Sequence, residues 1–109
     1  MKLIVATCPT EHAKALARTL LDAKLVACIN IIPSVSSMYI WNDCLVEDRE
    51  SILFIKTKES LIGSVERAFH QAHPYDVPEF ILLDVDETGS SQAYLAWVNR
   101  VTQDSLPTS

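Results

Sequence analysis

Apolar and polar positions along this chain follow two periods, one near 3.6 and one near 2. Leu3 to Ala6 is a short apolar run closed by Thr7, Cys8 and Pro9, which predicts a buried strand. From Glu11, the residues Ala13, Leu16, Ala17, Leu20 and Leu21 recur at helical spacing while His12, Lys14, Arg18 and Asp22 fall elsewhere, so an amphipathic helix follows. Thr10 is placed to cap it, and Glu11 suits the positive end of its dipole. Val26 to Ile32 is apolar apart from Asn30 and rich in β-branched residues, which predicts a strand buried on both faces. It resumes from Val35 to Trp41, with Pro33 marking a bulge or an edge because proline cannot donate to a ladder. Asn42, Asp43 and Cys44 read as a turn, and Leu45 to Thr57 as the returning strand of a long hairpin. Leu61, Val65, Ala68, Phe69 and Ala72 predict a second helix that tolerates Gly63 and stops before Pro74. Glu79 to Val85 is then a last strand, and Ser91 to Val101 a closing helix.

The order strand, helix, strand, strand, helix, strand, helix within 109 residues predicts one α+β domain over residues 1–109. It is a ferredoxin-like split βαβ sandwich with a long β-hairpin and a short C-terminal helix. With the first and third strands read as central and parallel, one end of the sheet collects Cys8, Cys28, Lys56, His73, Tyr75 and Glu79. The hairpin arm from Leu25 to Trp41 would extend about 55 Å, whereas a 14-residue helix covers roughly 21 Å. Met38, Tyr39, Ile40 and Trp41 therefore lie beyond the cover of the chain's own helices, and burial in a neighbouring subunit is expected.

Composition narrows the partners. The chain is 49% hydrophobic, with a mean hydropathy of +0.16, so it folds. A net charge of −5 and a pI near 5.0 oppose binding to nucleic acid or to anionic membranes. No apolar run approaches the roughly 20 residues of a membrane span, and the start MKLIVATCPTEH is too short in apolar residues for a signal peptide. A cytoplasmic location is expected, with Cys8, Cys28 and Cys44 as free thiols.

Two kinds of chemistry compete at the collected end. Cys8, Cys28 and His73 are soft and borderline ligands suited to copper or zinc, and a helix N-terminus after Cys8 would favour its thiolate. Against this stand the absence of a CxxC or His-x-x-x-His spacing and the ordinary role of Cys28 as a small core residue. Lys56, Tyr75 and Glu79 could instead line a cleft for a small polar ligand, or pair with one another at an interface. An enzyme is not expected. The loop Thr7-Cys8-Pro9-Thr10 lacks the glycine and arginine of acylphosphatases, the strand Leu45 to Thr57 lacks the basic aromatic motifs of RNA-recognition modules, and a Cys8–His73 nucleophile has no third orienting group in view.

The runs Ala27-Cys28-Ile29-Asn30-Ile31-Ile32-Pro33 and Ser37-Met38-Tyr39-Ile40-Trp41, the pair Lys56-Thr57, the segment His73-Pro74-Tyr75-Asp76-Val77-Pro78-Glu79 and the closing Tyr94-Leu95-Ala96-Trp97 resemble the CutA divalent-cation tolerance family. The resemblance covers most of the chain in order. It implies a ferredoxin-like protomer in a homotrimer similar to PII-type signal proteins, with hairpins pairing between subunits, a link to tolerance of copper and other divalent metals, and no catalytic activity. Copper is then the foremost metal, bound without being tightly required, and a PII-like module with a small polar ligand in an intersubunit cleft is the alternative. One departure stands out: Asn42-Asp43-Cys44 occupies the hairpin turn where the family shows a Glu-Gly-Lys-like sequence.

Overall fold

The computed structural model describes residues 1–104. Strand β1 (Lys2–Pro9) leads directly into helix α1 (Thr10–Asp22). Strands β2 (Cys28–Trp41) and β3 (Cys44–Thr57) form the hairpin, a single 3₁₀ turn (Glu59–Leu61) opens helix α2 (Ile62–Ala72), and β4 (Phe80–Asp84) and helix α3 (Gln92–Val101) complete the chain. Every neighbouring pair of strands is antiparallel, in the order β2-β3-β1-β4. The α+β class and the split βαβ order follow the expectation, but the two central strands are not parallel. A chain that returns through the tight turn at Asn42 and Asp43 reverses direction, so β3 opposes both β2 and β1.

Alternation along β1 sends Ile4, Ala6 and Cys8 to the helical side, where all three are fully buried against Leu16, Leu20, Val65 and Phe69. Leu53, Ile55 and Thr57 of β3 face the same way and are equally buried. The Thr57 hydroxyl donates to the Leu25 carbonyl at 2.6 Å, which fixes the passage from α1 into β2. Thr10 does not cap α1. It is the first helical residue, and its hydroxyl accepts from Ser51 at 3.1 Å while Pro9 takes the capping position. Gly63 lies in α2 with only the Arg67 guanidinium near, so the helix simply tolerates it.

The opposite face of the sheet has no helical layer over most of its area. Ile32 of β2 and Ile81 and Leu83 of β4 are nearly half exposed, so β2 is not covered on both sides as its apolar run suggested. α3 closes only one end of the sheet, where Val98 is buried and Gln103 bonds the backbone of Ala23 and Lys24.

The hairpin carries the two devices expected of it. The register slips between Ile32 and Val35, where Ser34 takes φ 60° after Pro33 and Arg49 donates to the Ser34 carbonyl at 3.1 Å. Asn42 and Asp43 both take positive φ, the signature of a two-residue I′ turn. β1 reaches only to Glu50 of β3, so Cys44–Arg49 have β2 alone as a neighbour and the tip projects past the body by about 20 Å.

Candidate functional site

Antiparallel register separates the residues that a parallel pair would have gathered. Cys8 lies opposite Ser51, whereas Lys56 lies opposite Leu3 and Cys28 opposite Lys56. Cys28 and Lys56 are thus about 17 Å along the strand from Cys8. There the Lys56 ammonium hydrogen-bonds the Asn30 side chain and sits 4.0 Å from the Cys28 sulfur, with Tyr94 of α3 close enough for its phenol to be pushed up by burial and by that thiol. His73, Tyr75 and Glu79 stay at the Cys8 end, because the loop between α2 and β4 returns beside Ala6, the partner of Phe80.

Neither Cys8 nor His73 offers a free ligand at that end. The Cys8 side chain is fully buried, and its thiol is pushed up to about 11 by burial first and then by the nearby Glu50 and Glu11 carboxylates. The helix start that should have favoured a thiolate is outweighed, because alternation turns the sulfur into the core. His73 is also buried. Its Nδ1 accepts from the Tyr75 backbone N–H at 3.1 Å, so Nε2 carries the proton and donates to the Thr7 carbonyl at 2.8 Å. Both ring nitrogens are engaged, and the ring latches the 73–79 loop to the end of β1. Among the described residues no three His, Cys, Asp or Glu side chains converge to hold a metal ion. With a thiol reagent at neutral pH, Cys44, which the structure places not in the turn but exposed at the first position of β3, should react first and Cys8 only as fast as the chain unfolds. Equal native-state rates for the two, read by mass spectrometry, would contradict the placement of Cys8.

What the latch builds is a groove of about 620 Å³ between the projecting hairpin and the 73–79 loop. Tyr39, Trp41, Asp48 and Glu50 line it from the hairpin, and Tyr75, Asp76, Val77 and Glu79 from the loop. The Tyr39 hydroxyl donates to Asp48, which pushes the phenol up to about 12. Glu79 is raised above the usual carboxylate range by partial burial and then by the charge of Glu50. Glu50 itself is only 6% exposed and has no hydrogen-bond or ion-pair partner among the described residues. No described buried side-chain polar atom is sealed off without a partner, so the Glu50 carboxylate keeps its access through the groove. Tyr75, Glu79, Tyr39 and Trp41 were named from the sequence, while Asp48, Glu50 and Asp76 were missed. A period-two signal was present: Asp48 and Glu50 share a face with Ile52 and Phe54, and a charge there has no reason in core packing.

Comparison with known proteins decides the family. Residues 2–101 match the profile of the CutA1 divalent ion tolerance protein. The chain belongs to this family. The mouse protein CutA is 40% identical over 98 residues, covering 89% of this chain and 54% of the mouse protein, so the chain spans about half the length of that relative. The divalent-cation tolerance protein CutA of Thermus thermophilus is 33% identical over 102 residues, covering 93% of this chain and 97% of its own. Among solved structures, the PII-like protein CutA of Nostoc in its apo form superposes with a TM-score of 0.91 at 32% identity, covering 94% of this chain and 98% of that one. Rice CutA1 superposes with a TM-score of 0.90 at 37% identity, covering 95% and 94%. The CutA fold is thus the PII-like one, and these relatives carry tolerance-protein or PII-like names rather than enzyme names. An Arabidopsis relative is described as chloroplastic, and no described helix is long and apolar enough to cross a membrane.

Proposed function

We propose that this chain serves divalent-cation tolerance as a PII-like regulatory module of the cytoplasm, assembled as a homotrimer, with a small polar ligand in the groove and no reaction catalysed. The observation that carries this reading is Glu50: its side chain is mostly buried with no partner among the described residues, and its carboxylate opens to a groove, which is the place for a polar ligand. Assembly is supported by the uncovered sheet face and by a hairpin whose Met38, Ile40 and Trp41 are each more than half exposed, continuing to the groove through Tyr39. Tolerance would then follow from signalling that a ligand has bound rather than from holding the metal. Direct binding of copper is the second reading, favoured by the family description and by Cys28, a partly exposed thiol beside Lys56.

Sedimentation velocity at micromolar concentration should give a trimer, and a thermal-shift screen should find stabilisation by at least one small polar metabolite that is lost in Tyr75→Ala. A lone 12.2-kDa subunit would overturn the assembly. Stabilisation by Cu(II) alone, abolished by Cys28→Ala, would replace this reading with the second.

A further inference from the structure

We propose that the groove takes an organic ammonium ion, with the Glu50 carboxylate as its counter-charge. This rests on reading the groove as a ligand site and names the chemical class of the ligand.

Charge is the first argument. Four carboxylates, Asp48, Glu50, Asp76 and Glu79, line the groove, and among the described residues no lysine, arginine or histidine does. Asp48, Asp76 and Glu79 are more exposed, whereas Glu50 is more than nine-tenths buried, has no hydrogen-bond or ion-pair partner among the described residues, and meets water only where its carboxylate opens to the groove. A mostly buried carboxylate of this kind is stabilised by a cation that enters after folding, places its charge beside it and, where it carries N–H groups, donates them to the carboxylate lone pairs. The raised position of Glu79 beside it points the same way, since a cation between the two would relieve their repulsion.

Size and lining then choose among cations. A space of about 620 Å³ is far larger than a bare ion, and its carboxylates do not converge into a cage of three. The walls are completed by Trp41, Tyr39 and Tyr75, whose ring faces attract a cation that sheds its water. An ammonium centre on a carbon skeleton satisfies both halves of the lining: the charge meets Glu50 and the carbon meets the rings. A lysine or arginine side chain from a second copy has the same chemistry, and the test separates the two sources.

In a Trp97→Phe background, Trp41 is the one remaining tryptophan, and its fluorescence reports the groove. The assembled protein is titrated with choline, ethanolammonium and putrescine, with the neutral isostere 3,3-dimethylbutan-1-ol, and with MnCl₂. At least one ammonium should quench saturably, binding at least tenfold tighter than the isostere, and Glu50→Gln should weaken it at least tenfold with near-ultraviolet dichroism and sedimentation unchanged. Equal binding of the isostere, full retention in Glu50→Gln, or displacement of the ammonium by equimolar Mn(II) would each overturn the proposal. So would Glu50→Gln dissociating the assembly while no ammonium binds, which assigns Glu50 to a base of the neighbouring copy. If a neutral or anionic metabolite binds the groove and no ammonium does, the groove remains a ligand site and only this inference falls. If nothing binds, both fall.

Discussion

Replacing Phe69 with alanine is expected to cost about 3–5 kcal/mol, the largest loss of any single truncation in this chain. Phe69 is fully buried, and its ring meets His73 at 5.1 Å and Phe80 at 5.2 Å between centroids, so it joins α2, the loop and β4 at one point. Removing it leaves a cavity that the rigid sheet cannot collapse into, because Ile4 and Ala6 are held by strand pairing on both sides. Urea denaturation at one fixed protein concentration measures the effect, the concentration being held because assembly adds to apparent stability. Phe69→Leu, which keeps most of the volume, should cost less than half as much. Equal losses for the two would mean that aromatic geometry rather than volume decides the site.

The legibility of the fold divides along physical lines. The amphipathic stripe of α1 reads directly, since Ala13, Leu16, Ala17 and Leu20 are its buried residues. The bulge at Pro33 and the turn at Asn42 and Asp43 read equally well, because each depends on backbone chemistry local to one or two residues. Strand direction between β1 and β3 is a different matter: it depends on how the hairpin folds back, a relation between distant segments, and there the expectation of a parallel pair failed. The same distinction separates exposed from buried apolar strands. Val26 to Ile32 reads as a core run, yet Ile32 faces the uncovered side of the sheet. An apolar face kept for a second copy of the chain has the composition of a core face.

For the site, the sequence identified residues but not their company. His73, Tyr75 and Glu79 do share one end of the sheet, because a single loop carries them. Cys28 and Lys56 went to the other end with the direction of β3. Cys8 lies at the right end but on the wrong face, and the thiolate inferred from the helix start gives way to desolvation. Glu50 was hidden by the opposite error: in the acidic stretch Glu47 to Glu50 it resembles solvated surface, and only the partnering of β3 with both β1 and β2 at that position buries it. Adjacent strands on both sides are a tertiary property, so burial of that one carboxylate could not be read from local pattern alone.

His73→Ala should cost about 2–4 kcal/mol and weaken ligand binding in the groove with it. The stability loss has two parts. The ring packs at 5.1 Å from Phe69 and 4.9 Å from Tyr75, and its removal leaves the Thr7 carbonyl and the Tyr75 N–H without their bonds at a part-buried site. The functional loss follows because Tyr75, Asp76, Val77 and Glu79 all hang from this latch, so loosening it spreads one wall of the groove. His73→Phe separates the parts: it restores the ring contacts and leaves the two polar groups unmet, so it should recover part of the stability. Denaturation midpoints together with Trp41 fluorescence titrations check both effects. A His73→Ala protein that keeps wild-type stability but loses copper binding would return His73 to the metal-ligand role that its residue type first suggested, and would remove the latch on which the groove depends.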